Sequence, residues 1–420
     1  MKNPRPALAL PDWNVLNEQS KQFGGSFYVL DDARFEQNFL DLQSAFRAHY
    51  ANSWIGYSYK TNYTPALCAI VDRLGGYAEV VSEMEYELAE RVGVAQTRVI
   101  LNGPMKSAAC IRRALLGGSI VNLDSIRDLN ALVEVARDNP GQQIEVAIRC
   151  NFPIRDSFVS RFGFDIDGEA FKTALATISA LSNVELVGLH CHFPDRDLDS
   201  YRIRVAKMLE LSRSLFPGKP PKYLNVGGGY FSSMPKELQE TFGVEHVSFA
   251  EYAEALAAPI AKAYGNGPDC PKLFIEPGTA LVADVLHFYA RVVDIKTVGT
   301  TRFATVEGSI FNISASARKT NLPVDVARQH GTGQLTQAGP TDIVGYTCIE
   351  GDCMTRAYPG PIDVGDFVHY SNIGSYSVVM KPPFILPNVP IIRLDPASGT
   401  KLIKSRELFE NVFSTFAFER

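Results

Sequence analysis

The chain of 420 residues contains no run approaching the roughly 20 apolar residues that a membrane-spanning helix needs. It carries no basic excess. Forty-one lysines and arginines stand against 46 aspartates and glutamates, a net charge of -5, so neither nucleic acid nor an anionic membrane is an expected partner. The seven cysteines (68, 110, 150, 191, 270, 348 and 353) are odd in number and form no CxxC. That excludes the usual sequence signs of a zinc site or a disulfide framework, and a reducing, cytoplasmic location is the simplest expectation. There is no GxGxxG, so dinucleotide binding is unsupported. The 32 glycines and 25 prolines are scattered, so no stretch reads as a low-complexity linker. The opening Met1-Lys-Asn-Pro-Arg-Pro lacks the apolar core of a secretory leader.

The length exceeds one ordinary core and suggests two domains. Hydrophobic residues at 46% and charged residues at 21% suit a folded enzyme and exclude a disordered chain. Eight short β-rich runs are expected near 53–59, 78–81, 98–101, 119–123, 144–149, 185–191, 222–226 and 272–275. Several are continuously apolar, as strands buried on both faces must be. Helical patterns lie between them. The first spans about 32–49. Asp124 is placed to cap a second through Asp138. Tyr201, Val205, Met208, Leu209 and Leu215 share helical spacing over 198–216, and Ser248 with Glu251 forms a capping box ahead of Gly265. Eight βα units fit a (β/α)8 TIM barrel better than an open sheet. From about residue 284 the runs Phe288–Ile295, Phe303–Val306, Phe367–Tyr370 and Val389–Leu394, separated by turn signals at 299–301, 363–366 and 399–400, read as an all-β C-terminal domain. The early strand Phe27–Leu30 is expected to join that domain. The expected division is therefore a barrel over 32–283, and a β-rich domain of 1–31 plus 284–420.

A barrel of this kind carries its chemistry at the C-terminal ends of its strands. The residues found there are Lys60, Ser82 and Glu85, Asn102, Asp124, Arg149, His190 and His192, the run Gly227-Gly228-Gly229, and Glu276-Pro-Gly278-Thr279. Each has a plain structural reading: a solvated lysine, a core histidine, a tight glycine turn, a surface carboxylate. Each also has a chemical one. An amine forms a Schiff base with an aldehyde. A flat imidazole stacks on an aromatic ring. Glycines expose backbone N–H groups to phosphate where the last barrel loops usually hold one. A buried carboxylate keeps a pyridine nitrogen protonated. Two histidines one residue apart also hint at metal, but no third ligand of suitable spacing stands out. Taken together the four chemical readings spell one cofactor, pyridoxal 5′-phosphate.

These residues resemble a known family, the fold-type III pyridoxal-phosphate decarboxylases, which include diaminopimelate, ornithine, arginine and carboxynorspermidine decarboxylases. The likeness covers residues 25 to 385. Tyr57-Ser-Tyr-Lys60-Thr-Asn62 is similar to the family's Y-A-x-K-x-N, Gly188-Leu-His190-Cys-His192 to its histidine strand, and Leu224-Asn-Val-Gly-Gly-Gly-Tyr230 to its glycine loop. Glu276-Pro-Gly resembles its EPG turn and Ser160-Arg-Phe-Gly163 its S-K-F-G. In the second domain Gly345-Tyr-Thr-Cys348-Ile-Glu-Gly-Asp352 resembles G-P-x-C-[DE]-S-x-D, and Asn372-Ile-Gly374-Ser-Tyr376 resembles G-A-Y. The resemblance implies an alanine racemase/ornithine decarboxylase-like architecture and a homodimer with shared active sites. It implies Lys60 as the Schiff-base lysine and Cys348, from the neighbouring subunit, as the acid that reprotonates the substrate carbon after CO2 leaves. Glu79, His192, Gly227, Gly228, Gly229, Glu276, Gly278, Thr279 and Tyr376 are the implied cofactor contacts. Arg149, Ile349, Glu350, Asp352 and Tyr376 are the implied substrate-facing set.

The departures bear on substrate. The family's frequent EPGR ends here in Thr279. Phe193-Pro194-Asp195 stands after His192 where many members have Gly-Ser. The acidic residue after the family cysteine, which meets a distal amine, is Ile349, and Glu79 stands where many members have Asp. The expected activity is decarboxylation of an unusual or modified amino acid, as in siderophore or other specialised metabolism. Carboxynorspermidine, diaminopimelate or another polyamine-pathway substrate is the runner-up. An amino-acid racemase and a non-catalytic, decarboxylase-like regulator are the other readings.

Overall fold

The computed structural model describes residues 10–155, 159–232, 234–242, 246–267, 269–313, 321–329, 339–395 and 399–418. The first nine, read above for a leader, lie outside these. The chain divides into two compact units, one of Asn38–Phe231 with His246–Ala280, the other of Met1–Gln37, Ser232–Glu245 and Leu281–Arg420.

In chain order β1 (Ser26–Leu30) comes first, then the barrel strands β2 (Ser53–Ser58), β3 (Tyr77–Val80), β4 (Val99–Leu101), β5 (Ile120–Leu123) and β6 (Ile144–Asn151). The two-residue β7 (Phe164–Asp165) extends the end of β6, and β8 (Val184–His190), β9 (Tyr223–Asn225) and β10 (Lys272–Ile275) follow. The sheet runs β5-β4-β3-β2-β10-β9-β8-β6, and β5 closes on β6 through Asn122 against Ala147 and Leu123 against Ile148. Every expected barrel strand forms within two residues of its expected bounds. Tyr77, Ile100, Ala147, Val187, Tyr223 and Phe274 fill the buried interior. The Phe274 ring meets Tyr77 edge-on at 4.7 Å and Tyr223 at 5.6 Å, the tilted geometry aromatic pairs prefer. Gly188 makes the room: a Cβ there would lie 2.6 Å from the Tyr223 ring.

Helices alternate with these strands. The capping box at Ser248 forms as expected, with Glu251 N–H donating to Ser248 Oγ at 3.3 Å and Ser248 N–H to Glu251 Oε2 at 2.8 Å. The expectation for Asp124 is corrected. Ser125 occupies the cap of the helix Ile126–Asp138 without a side-chain bond, and the Asp124 carboxylate instead accepts from Arg149 Nη1 at 2.9 Å. A buried guanidinium needs that carboxylate more than a helix end open to other partners does.

The other unit is mostly sheet. Its strands are β11 (Leu286–Val298), β12 (Thr301–Val306), β13 (Val324–Ala327), β14 (Thr341–Val344), β15 (Cys353–Tyr358), β16 (Phe367–Tyr370), β17 (Ile391–Asp395) and β18 (Gly399–Lys404). They order as β15-β14-β12-β11-β1-β17-β18, with β16 pairing β11 and β13. β1 lies between β11 and β17, so the early strand does belong here. The helix Trp13–Phe23, capped by Asp12, was absent from the sequence reading; its Leu16 packs on Phe27, Val29, Tyr289, Phe367 and Ile392.

A relay of side chains crosses this sheet. His287 Nδ1 lies 3.0 Å from His369 Nε2, and His369 Nδ1 lies 3.3 Å from Asp325 Oδ2, with Tyr289 stacked on His369. Burial first, then the His369 charge, holds the His287 imidazole down at about 3. An unfolded histidine titrates near 6.5, so on acidification the unfolded chain takes up this proton first. The stability that neutral His287 permits is complete above about 6.5 and is lost as pH falls toward 3. His287→Leu is therefore expected to flatten the acid limb of a stability–pH profile, by about 3 kcal/mol between pH 6.5 and 4. Superimposable acid limbs for the two proteins would contradict this assignment.

Candidate active site

The site grows from the C-terminal ends of the barrel strands. Lys60 follows β2 in a single 3-10 turn, which brings its ammonium back over the strand end. Nζ donates to Ser58 Oγ and to Glu79 Oε2, both at 2.6 Å, and the side chain keeps 35% of its surface exposed. Glu79, on β3, is buried and also accepts from Ser58 Oγ. Asn102, one residue past β4, joins two carboxylates: its amide donates to Glu79 Oε1 at 2.9 Å and to Glu276 Oε1 at 2.7 Å. Asn122 Nδ2 donates to Asn102 Oδ1 at 2.7 Å and so fixes which way that amide faces.

Glu276 follows β10 and is fully enclosed by polar partners. Asn225, the last residue of β9, donates to Oε1 at 2.7 Å, and His190 Nε2 lies 3.3 Å from Oε2. Among the described residues His190 Nδ1 has no partner, so the network assigns the proton to Nε2. Burial alone would raise the Glu276 carboxyl. The interaction with His190, then the Lys60 charge, outweighs it and holds the group below the usual carboxylate range. Three of about four acceptor positions are filled, which leaves Oε2 able to take one more donor.

His192 has the opposite electrostatics. Burial first, then the Lys60 and Arg149 charges, presses it well below an ordinary histidine, so the ring is neutral. Gly228 N–H donates to its Nδ1 at 2.9 Å, which puts the ring proton on Nε2. Arg149, toward the end of β6, donates to the His192 carbonyl at 3.3 Å while paired with Asp124. The glycines are sterically required. A Cβ on Gly228 would lie 2.2 Å from the Glu276 carbonyl oxygen, and one on Gly278 would lie 2.0 Å from Thr61 Oγ1. Gly227 and Gly229 have φ of 72° and 106°, open to glycine and strained for other residues. Thr279 opens the short helix Thr279–Val282. Glu85, buried behind Glu79, is pushed up to about 7, first by burial and then by the Glu79 charge, against the pull of the Val81 N–H and Lys60.

The structure thus joins Lys60, Glu79, Glu276, His192, Arg149 and the glycine loop in one connected network. Asn102 and Asn225 stand at strand ends in the sequence, and only the fold shows them as the amide donors to Glu276. Their signal is the recurrence of a short amide at the ends of neighbouring strands.

The remaining expected residues lie in the mostly-sheet unit. Cys348, Ile349 and Glu350 are exposed, Ile349 by 42%. Tyr376 sits at φ 64°, a strained value for a non-glycine residue of the kind that collects at functional sites. Asp352 is corrected. It is buried, with Oδ1 accepting from Ile310 N–H at 2.7 Å and Ser309 Oγ at 3.2 Å, and Oδ2 from Thr347 Oγ1 at 2.7 Å and Thr347 N–H at 3.2 Å. A carboxylate so saturated holds its own turn and has no acceptor position left for substrate.

Residues 33–283 match the family model for the pyridoxal-binding domain of pyridoxal-dependent decarboxylases. The chain belongs to that family. This decarboxylase is 28% identical to the diaminopimelate decarboxylase of Corynebacterium efficiens, over 98% of this chain and 93% of the relative. It is 25% identical to that of Aquifex aeolicus, over 94% and 93%. The solved diaminopimelate decarboxylase of M. jannaschii, in complex with L-lysine, superposes with a TM-score of 0.84 at 21% identity, covering 96% of this chain and 94% of that one. The decarboxylase is thus a carboxy-lyase dependent on pyridoxal phosphate, built as a (β/α)8 barrel with a mostly-sheet second domain.

Proposed function

We propose that this decarboxylase acts on a modified amino acid whose distal end is not gripped by a carboxylate beside Cys348, of the kind that siderophore building and other specialised metabolism use. The observation that carries the reading is the pair Ile349 and Asp352. An exposed isoleucine cannot pair with an ammonium group, and the next acid in that turn inside the protein is already saturated. A second reading, decarboxylation of diaminopimelate itself, is favoured by the names of the relatives.

The donor set supports the cofactor's fit: an accessible amine, an ionised carboxylate with one acceptor position left, a neutral flat ring and a side-chain-free loop. In this reading Lys60 would be the amine that holds the cofactor, and the glycine loop and Tyr376 would hold its phosphate. His192, held by Arg149, would supply the flat neutral ring for stacking. Glu276 would hold a proton on the cofactor's ring nitrogen, with Asn102, Asn225 and His190 orienting the carboxylate. The bound cofactor supplies an electron sink for the pair released when the Cα–carboxylate bond breaks. Cys348 would return a proton to Cα, and Lys60 would hold the cofactor between turnovers. The domain reading is a cofactor-binding barrel over 32–283 with 1–31 plus 284–420 lending Cys348 to a second subunit's site. Exposed Cys348 supports a homodimer. Among the described residues no helix is long and apolar enough to cross a membrane.

The test is CO2 release from a panel of amino acids. The proposal expects meso-diaminopimelate, ornithine and carboxynorspermidine to be turned over at kcat/KM values roughly 100-fold or more below the best modified substrate. Diaminopimelate as the best substrate overturns the reading in favour of the second. Loss of optical rotation without CO2 would mean a racemase, and no turnover with no bound cofactor a regulator.

A further inference from the structure

The most unusual charge in the barrel unit lies outside every residue discussed so far. Arg204, on the helix Leu198–Leu215, is completely buried. No carboxylate pairs with it among the described residues. Its partners are all neutral: the carbonyl oxygens of Gly228 (3.2 Å), Phe193 (3.1 Å) and Asp195 (2.6 Å), and Ser200 Oγ, 3.2 Å from Nε and 3.0 Å from Nη2. The Tyr201 ring lies under the guanidinium at 4.2 Å, and the Tyr201 hydroxyl donates to the same Gly228 carbonyl at 3.0 Å. A cation with no counter-charge is costly to bury. Its retention beneath a glycine loop points to an anion that arrives from outside the chain.

The peptide geometry points the same way. A trans peptide is planar, with its carbonyl and its N–H on opposite sides. Two donors hold the Gly228 carbonyl inward, so the Gly229 N–H faces away from Arg204. That N–H has no acceptor among the described residues. The neighbouring Gly228 N–H is already engaged by His192. Arg204 also ties down the Phe193 and Asp195 carbonyls, in the segment that departs from the family's Gly-Ser.

We propose that Arg204 is a positioning residue for the anionic end of the cofactor. It fixes the Gly228–Gly229 peptide with its N–H turned toward the phosphate, and it supplies from below the positive charge that Thr279 and the Phe193-Pro194-Asp195 segment do not. Its tie to Gly228 is aided by Tyr201.

The test compares two probes on apoenzyme, pyridoxal 5′-phosphate and phosphate-free pyridoxal, by equilibrium dialysis. Arg204→Met is expected to weaken binding of the phosphate form by 30-fold or more and of pyridoxal by less than 3-fold. Arg204→Lys, which keeps the charge but not the fork, falls between. Tyr201→Phe removes one bond to Gly228 and is expected to cost 3- to 10-fold, again only for the phosphate form, and it decides the matter should Arg204→Met fail to fold. A phosphorus NMR titration gives an independent readout. The bound phosphate is expected to keep one chemical shift from pH 6 to 8 in the wild type and to titrate in Arg204→Met. Parallel losses for the two probes, or unchanged affinity for both, would overturn the proposal.

Discussion

Lys60→Ala is expected to lower kcat/KM by roughly four orders of magnitude or more, the scale seen when a covalent catalytic group is removed. The expectation follows from the lysine's setting. Its ammonium is 2.6 Å from both Ser58 Oγ and the buried Glu79 carboxylate, yet a third of the side chain remains open. The first fact fixes the amine in place and the second lets a carbonyl reach it. Alanine removes the amine but leaves Glu79, Glu276 and the glycine loop, so the cofactor should still bind without a covalent link. Its visible absorbance should shift to that of the free aldehyde, and added small amines should restore part of the rate. Wild-type turnover by Lys60→Ala would remove this lysine from the chemistry.

The second large effect is expected at Glu276. Glu276→Gln keeps the size and still accepts from Asn102 and Asn225, but an amide carries no charge to hold a proton on a ring nitrogen. The loss is then electrostatic and falls on the reaction's charge development, so kcat should drop by about 10²–10³ while KM stays within a few-fold. His190, which points Nε2 at this carboxylate, should tolerate Gln better than Ala at the same position. A Glu276→Gln enzyme with kcat within 10-fold of wild type would contradict the assignment. So would one whose entire defect lay in cofactor binding.

Much of this was legible in the sequence because the signals were strong and local. A strand buried on both faces must be continuously apolar, and VIL at 99–101 or LFI before Glu276 could be read that way and placed in a parallel barrel. The polar residues at the strand ends then fell at one end of the barrel by topology alone. What escaped the reading depended on distant partners. Asp124 has the right residue type for a helix cap, but the buried guanidinium of Arg149, 25 positions on, claims its carboxylate. Asp352 sits next to a functional-looking cysteine, but backbone and hydroxyl groups from positions 309, 310 and 347 saturate it. Arg204 bonds to three backbone carbonyls and a serine, and carbonyls leave no trace in a pattern of side chains. The helix Trp13–Phe23 is fixed by an Asp12 cap and the packing of Leu16, too little apolar surface to stand out from its polar neighbours.

The proposed chemistry rests on one covalent attachment, and one measurement reaches it directly. Borohydride reduction of the cofactor-loaded enzyme, followed by proteolysis and peptide mapping, fixes the link where it forms. The pyridoxyl label is expected on Lys60, on one peptide, at one equivalent per chain. A label on a different lysine, or none on a chain with bound cofactor and full activity, would contradict it.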